Sequence, residues 1–241
     1  MGVTRLVVAG TAALLVLPLS LQAVARDPGL TAQTLTPSPE RYVVRTGAGG
    51  DVTIRAKAPR DGLPHDWNRR EILVRPGVRP TSDHGVCATW TDQSRDLDQQ
   101  GLAVRFRTGP GDRKRAVTLT KNTYAGYVWV FNLLTWDTRR PGDPWRALGQ
   151  FDLSSVVTAH GRVRPFPWRV CLRAVGHRVD FKVWRPEREP EPSWTDPEHA
   201  RSATTPGRFS RPGVPGWYVG HLFPGDHVTY ADLRTDPARA G

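Results

Sequence analysis

The chain has few sulfur-containing residues and no pattern typical of a long helix. Its 241 residues include two cysteines and one methionine. The best helical periodicity, near Asp152–Ala159, lasts only a turn or two. There is no CxxC spacing to indicate a zinc site and no G-x-S-x-G motif to indicate a hydrolase nucleophile elbow. These absences argue against a helical fold, a structural zinc site and a serine hydrolase of that type.

The cysteines, Cys87 and Cys171, lie far apart in two strand-like segments. In each segment the cysteine alternates with apolar residues, so its side chain belongs to the polar face of the strand. An isolated pair of cysteines in an oxidising compartment usually forms a disulfide. We therefore predict a disulfide that joins two strands on their polar face.

The N-terminus has the pattern of a secretory signal peptide. Arg5 precedes an apolar run, Leu6–Leu21, which Pro18 interrupts, and small residues follow at Ala23–Ala25. A membrane span needs roughly 20 continuous apolar residues, so cleavage is favoured over an uncleaved anchor. We predict a signal peptide at residues 1–25, a secreted or cell-surface protein that is not integral to the membrane, and an extended linker at residues 26–40.

The chain is strongly basic, with a formal net charge of +11. An exported basic protein attracts anionic polymers, which include acidic polysaccharides and wall phosphates. The excess of arginine over lysine is equally typical of codon bias in a high-GC genome, so charge alone identifies no partner. The chain holds no nucleic-acid-binding motif and is predicted to leave the cell, which argues against nucleic acid as a partner.

Alternating apolar residues predict a fold made of short strands. Trp168–Val175 and Arg178–Trp184 form a hairpin around a Gly-His turn, with aliphatic residues on one face of each strand. Similar segments recur between Gly, Pro and Asp residues along the chain. We predict an all-β, two-sheet antiparallel jelly-roll sandwich that forms one domain at residues 41–241, with a long Pro-rich loop at residues 186–215.

The polar face of this hairpin is the predicted ligand-binding surface. Sugar rings present apolar C–H faces to aromatic side chains, and charged groups bind their substituents. The predicted binding residues are Trp184, Asp180, Lys182, Arg169, Arg173 and Trp194. Arg105 and Arg107 would extend a basic stripe if their strand lies beside this hairpin. The alternatives are a solvated polar face, and packing of Trp184 under the Pro-rich loop.

Two further clusters have a chemical and a structural interpretation. His221, Asp226 and His227 surround a turn and could join a distant serine in a Ser–His–Asp arrangement, although ordinary turn chemistry is the simpler interpretation. Asp92, Asp96 and Asp98 crowd one loop and could supply some of the six to eight oxygens that calcium requires. Their spacing matches no EF-hand loop, and capping of turns explains them equally.

Several segments in order resemble the concanavalin A-like superfamily of lectins and glucanases, which includes the laminin G-like jelly rolls. The resemblance covers roughly Val86–Thr235 and is carried by short motifs at Gly101–Phe106, Tyr127–Asn132, Trp168–Trp184, Pro190–Trp194 and Tyr230–Leu233. It implies a jelly-roll sandwich and sugar binding. Calcium is implied as a possible ligand because members of the laminin-type branch often bind it; otherwise no cofactor is predicted.

The chain departs from the glucanase branch in its carboxylates. Those enzymes carry a Glu-x-Asp-x-x-Glu strand that aims alternate carboxylates into a cleft, and this chain has no such motif. Glu187, Glu189 and Glu191 alternate, but they lie in a Pro- and Arg-rich loop. We therefore predict a secreted, non-catalytic protein that binds polysaccharide or another anionic surface component. A carbohydrate-active enzyme of the same fold and a structural envelope protein that contacts other proteins are the alternatives.

Overall fold

The computed structural model describes residues 29–60, 63–64, 66–123, 129–160 and 162–237. The predicted signal peptide, residues 1–25, lies outside these ranges. The described residues form two large antiparallel sheets, a two-stranded ribbon of β10 (Thr158–Ala159) and β11 (Arg162–Val163), one short α-helix, α1 (Ser154–Val157), and two short 3-10 helices, Pro110–Asp112 and Gly207–Phe209. No helix in the described ranges has the length and apolarity to cross a bilayer.

Each large sheet has seven strands. Sheet A contains, in spatial order, β1 (Thr31–Thr36), β4 (Arg70–Val74), β15 (Val214–Gly220), β6 (Gln99–Gly109), β7 (Arg113–Thr123), β8 (Trp129–Asp137) and β9 (Trp145–Asp152). Sheet B contains β14 (Ala200–Thr204), β13 (Arg178–Trp184), β12 (Trp168–Val175), β5 (His84–Gln93), β16 (His227–Asp236), β3 (Val52–Lys57) and β2 (Arg41–Thr46). The predicted two-sheet antiparallel sandwich is thus confirmed.

The core lies between the two sheets and follows the alternation of apolar residues. The predicted hairpin occupies β12 and β13, and its aliphatic face, including Val170, Leu172 and Phe181, is fully buried. Aromatic rings bridge the layers, because Phe131 of sheet A lies 6.1 Å from Trp90 and 5.9 Å from Phe181 of sheet B, measured between ring centroids. Burial of this apolar area is the main stabilising contribution to the sandwich.

The predicted disulfide is confirmed. Cys87 of β5 and Cys171 of β12 are paired directly across adjacent strands of sheet B and form a disulfide bond. The flanking core residues alternate with these cysteines, so the bond lies on the outer face of sheet B, away from sheet A.

Two predicted irregular segments contain strands. The predicted linker, residues 26–40, includes β1, which pairs with the edge of β4 and buries Leu35. The predicted Pro-rich loop, residues 186–215, includes β14, which pairs with β13, and its last residues begin β15. Both β1 and β14 are polar edge strands, which main-chain hydrogen bonds hold in place with little need for apolar alternation. Sequence periodicity is therefore weak in both.

The predicted basic stripe does not form, because its arginines belong to different sheets. Arg105 and Arg107 are in β6 of sheet A, whereas Arg169 and Arg173 are in β12 of sheet B. Arg105 is fully buried at a register shift of β6 and has a φ of 56°. Its guanidinium donates hydrogen bonds to the carbonyl oxygens of Ser82, Gly176 and Phe209, at 2.8, 2.5 and 3.4 Å. Arg105 thus ties three loops at one end of the sandwich.

Candidate functional site

The segment between β13 and β14 covers the polar face of the β12–β13 hairpin. The Trp194 ring lies against both the Arg173 guanidinium, at 4.4 Å, and the Lys182 ammonium, at 4.5 Å. Lys182 is only 3% exposed, donates a hydrogen bond of 2.7 Å to the carbonyl oxygen of Pro192, and forms an ion pair with Glu191. These contacts hold the segment between β13 and β14 on sheet B.

The remaining predicted binding residues are also engaged within the protein. Asp180 is buried and forms ion pairs with Arg173, at 3.1 Å, and Arg178, at 2.5 Å. Trp184 is buried beneath the Lys182 ammonium. The prediction that this face is open to solvent is therefore wrong, because a loop packs on it. Ligand binding by these residues stays a prediction, and their contacts indicate that they anchor the loop.

Arg169 borders an open groove on the same sheet. The groove, of about 700 Å³, runs between the disulfide, the segment after Trp184 and strand β16. Arg169 is 7% exposed and its Nη1 donates hydrogen bonds to Thr89 Oγ1, at 3.0 Å, and to the carbonyl oxygen of Asp232, at 2.8 Å. Its charge is thus engaged with the sheet beneath it.

The outer face of sheet A carries a more enclosed cleft, which we call the amide cleft. It has a volume of about 150 Å³ and crosses strands β4, β15, β6, β7, β8 and β9. Carboxamide and aromatic side chains dominate its lining, which consists of Arg70, Gln99, Asn122, Asn132, Leu134, Trp136, Trp145, Ala147, Gln150, Tyr218 and His221. None of these was predicted as a ligand-binding residue, and His221 was interpreted from the sequence as part of a turn or of a Ser–His–Asp arrangement.

Two glycines leave room for the Tyr218 side chain at the floor of the cleft. A Cβ at Gly101 would lie 2.3 Å from the carbonyl oxygen of Leu119 and 2.9 Å from Cδ1 of Tyr218. A Cβ at Gly220 would lie 2.8 Å from the Tyr218 hydroxyl. Because neither glycine has a Cβ, the Tyr218 side chain packs directly on Gly101 of the neighbouring strand β6 and beside Gly220 of its own strand β15.

Two tryptophans form one end of the cleft. Trp136 of β8 is almost fully buried and donates a hydrogen bond from Nε1 to Thr118 Oγ1, at 2.9 Å. Trp145 of β9 pairs with Trp136 across the strands and is 36% exposed. A fixed indole that is open to solvent on one side can stack on the apolar face of a ring-shaped ligand.

The amides present hydrogen-bonding groups toward the cleft. Gln99 donates to Asn122 Oδ1 and accepts a hydrogen bond of 2.9 Å from the Tyr218 hydroxyl. Asn132 is 2% exposed, and no described residue donates a hydrogen bond to its buried Oδ1. An unsatisfied buried acceptor costs about 1–3 kcal/mol, so a hydroxyl group that reaches this oxygen and donates to it would remove that cost.

The cleft contains one fixed positive charge. The Arg70 guanidinium lies 5.7 Å from the Trp136 ring and hydrogen-bonds with Asn68 and with Nε2 of His221. Burial and the nearby Arg70 charge lower the pKa of His221 to about 4, so its imidazole is neutral at neutral pH and accepts the Arg70 hydrogen bond. Burial also raises the pKa of Tyr218 to about 12. Among the described lining residues there is no carboxylate.

This cleft was not predicted from the sequence, although one of its residues gives a local signal. Asn132 lies between two buried apolar residues, Phe131 and Leu133, in strand β8. An isolated amide in such a strand marks the outer face of the sheet. The other amides come from distant parts of the chain, and only the pairing of β6 through β9 brings them together.

The predicted calcium loop is hydrogen-bonded to His227, whereas His221 of the same predicted histidine cluster lies in the amide cleft. His227 contacts Asp92 Oδ2 through Nε2 and Ser94 Oγ through Nδ1, both at 2.8 Å. The Ser94 hydroxyl also accepts the backbone N–H of His227, as in a capped turn. Within the described ranges no three metal-ligating side chains converge. Calcium binding by Asp92, Asp96 and Asp98 stays a prediction.

The sequence matches no protein-family model and no curated protein. Solved structures share its fold at low identity. A carbohydrate-binding module, CBM66 from Bacillus subtilis, is 9% identical, with a TM-score of 0.53 over 88% of this chain and 97% of the module. The calcium-bound exoplasmic/lumenal domain of VIP36 is 11% identical, with a TM-score of 0.51 over 87% of this chain and 91% of that domain. The fold is therefore a concanavalin A-like two-sheet sandwich; a laminin G-like subclass stays an expectation.

Proposed function

We propose that this protein is a secreted, non-catalytic glycan-binding protein that holds its ligand in the amide cleft. The observation that carries the proposal is the buried, unsatisfied Oδ1 of Asn132 in a cleft that ends at the solvent-open indole of Trp145. Glycans present both hydroxyl groups and flat apolar faces, and the cleft offers partners for both.

The lining favours binding over hydrolysis. Most glycoside hydrolases need two carboxyl groups that flank the scissile bond, and the described lining of the cleft supplies none. The names of the structural neighbours add support, since one is a carbohydrate-binding module and the VIP36 domain is also known in a Ca²⁺/Man2-bound form, with a TM-score of 0.50. The disulfide suits an oxidising compartment and so supports secretion.

The charge of the cleft favours an acidic polysaccharide. Arg70 brings a guanidinium to a cleft whose described lining contains no carboxylate, and the Asp66 carboxylate that interacts with Arg70 lies outside that lining. A guanidinium binds carboxylate groups strongly and with defined geometry. The net charge of +11 would also draw the protein toward an anionic polymer. We therefore propose a uronic-acid-containing polysaccharide as the preferred ligand class.

Affinity electrophoresis and calorimetry with polygalacturonate, alginate, mannan and dextran test the proposal. Asn132→Leu and Trp145→Ala should each weaken binding by at least roughly tenfold, about 1.4 kcal/mol. Arg70→Gln should weaken binding to polygalacturonate and alginate more than binding to mannan and dextran. Trp194→Ala is the matched control, because Trp194 is a half-buried tryptophan in a segment that packs on the opposite sheet.

Four results would overturn the proposal. They are equal binding by the cleft variants and the parent, loss of binding only in Trp194→Ala, release of reducing sugar from the same polymers, and capture of a protein partner without affinity for any polymer. Thermal unfolding of each variant confirms that losses of binding do not come from unfolding.

A further inference from the structure

The amide cleft continues at one end onto an exposed apolar surface. Trp67, Leu97 and Phe223 line an adjoining depression of about 300 Å³, and we call these three residues the aromatic ledge. The depression shares Gln99, Asn122 and His221 with the amide cleft. The two therefore form one continuous surface, with the ledge at one end and Trp145 in the cleft lining.

Exposed large hydrophobic side chains concentrate along this surface. Four are prominent among the described residues: Leu63 at 56%, Leu97 at 54%, Trp67 at 42% and Trp145 at 36%. Three of these four border the amide cleft or the ledge. Exposed apolar side chains that cluster in this way mark a binding surface rather than random surface composition.

The ledge is rigidly built. The Trp67 ring stacks on Phe223 with 4.5 Å between centroids and 28° between planes, and the Arg95 guanidinium lies 4.3 Å from the Phe223 ring. Arg95 also forms an ion pair with Asp226, at 3.1 Å. A platform whose rings are already ordered loses little conformational entropy when a ligand stacks on it.

The loop that carries Trp67 is anchored and strained. The backbone N–H groups of Asp66 and Trp67 donate to Oε1 of Glu40, a fully buried carboxylate, at 2.8 and 3.2 Å. Trp67 has a φ of 56°, a left-handed conformation that a bulky residue rarely adopts. Such strain persists where the surrounding structure holds it, and it is often found at functional sites.

We propose that the aromatic ledge is a second subsite for the same glycan chain, so that the protein recognises an internal stretch of several sugar units rather than a single sugar. This inference rests on the proposed function. Trp145 lies on β9, whereas the ledge borders Gln99 of β6 and Asn122 of β7. Neighbouring strands lie about 4.8 Å apart, so β6 and β9 are separated by roughly 14 Å across the sheet. A single sugar ring is too short to contact both Trp145 and Trp67, whereas a chain can.

Calorimetry with oligogalacturonides and manno-oligosaccharides, from the disaccharide to the octasaccharide, tests the inference. Affinity should rise with chain length until the chain reaches the ledge, and then level off. Trp67→Ala should weaken binding of the longest oligosaccharide by roughly tenfold and leave the shortest binding oligosaccharide nearly unchanged. Leu97→Ser, at the exposed edge of the ledge, should act in the same direction. Leu63→Ala is the matched control, because Leu63 is exposed but does not line the ledge.

The outcomes separate this inference from the proposed function. If Trp145→Ala weakens all lengths while Trp67→Ala and Leu97→Ser weaken none, the ledge proposal fails and the cleft proposal stands. Equal losses at every length for the ledge variants also overturn the ledge as a separate subsite. If Trp145→Ala changes nothing, or no oligosaccharide or polymer binds, the proposed function fails and the inference fails with it.

Discussion

The substitution Lys182→Met tests whether Lys182 anchors a loop on sheet B or binds a ligand there. The ammonium of Lys182 holds the segment after β13 through Pro192 and Glu191 and lies against two tryptophan rings. Methionine preserves most of the buried apolar stem but removes the charge. The variant therefore tests whether these contacts stabilise the fold.

The expected loss follows from these contacts. A hydrogen bond from a charged donor contributes about 1.5–3 kcal/mol, and each cation–π contact about 0.5–2 kcal/mol. The ion pair adds little, because Glu191 is largely exposed. Methionine avoids the desolvation of a buried ammonium, which offsets part of the loss. We expect a net loss of about 2 kcal/mol, or roughly 4–8 °C in Tm for a domain of this size.

Thermal unfolding, urea unfolding and limited proteolysis of the 185–199 segment measure this effect. Lys57→Met is the matched control, because Lys57 is exposed at the end of β3 and should change stability by less than about 0.5 kcal/mol. Glycan affinity should be unchanged in both variants. An unaltered Tm for Lys182→Met, or a loss of glycan binding in a fully stable variant, would refute the anchoring role.

Three further predictions concern stability. Gly101→Ala should cost about 1–3 kcal/mol in urea unfolding and weaken glycan binding, because its Cβ meets Leu119 and Tyr218, whereas Gly85→Ala, with its nearest contact at 3.6 Å, should cost less. Joint replacement of Cys87 and Cys171 by alanine should lower the unfolding free energy by about 4–5 kcal/mol for a separation of 84 residues, with affinity at room temperature retained. Burial and the Asp226 charge raise the pKa of Asp98 to about 7. Its folded form therefore holds a proton that the unfolded form has released, and stability falls from about pH 4 to about pH 7. Asp98→Asn should flatten this fall in urea titrations; an identical slope would contradict the assignment.

The two-residue periodicity of the strands predicted the sandwich, because the alternation of core-facing and outward-facing residues is visible within each short segment of the sequence. The two strands of the central hairpin have the bounds that the alternation predicts, and the parity of Cys87 and Cys171 correctly placed their disulfide. The edge strands β1 and β14 escaped prediction because neighbouring backbone, rather than apolar side chains, determines them.

The candidate binding surface could not be predicted in the same way. Alternation identifies a polar face but does not say whether another segment covers it, and Trp194 is the residue that closes the face around Lys182. The amide cleft could not be predicted for a different reason. Asn122 and Asn132 are unremarkable singly, and they acquire meaning only when the strands that carry them are paired.

The burial of Arg105 has a consequence for how this fold can diversify. One guanidinium bonds to carbonyl groups of three separate loops, so a length change in any of these loops would leave an N–H group of a buried cation without its acceptor. The lengths of the three loops at that end of the sandwich are therefore constrained together. Gln99 and the Trp67 loop lie near the opposite end of β6, and relatives that take different ligands should therefore differ there in loop length and composition first.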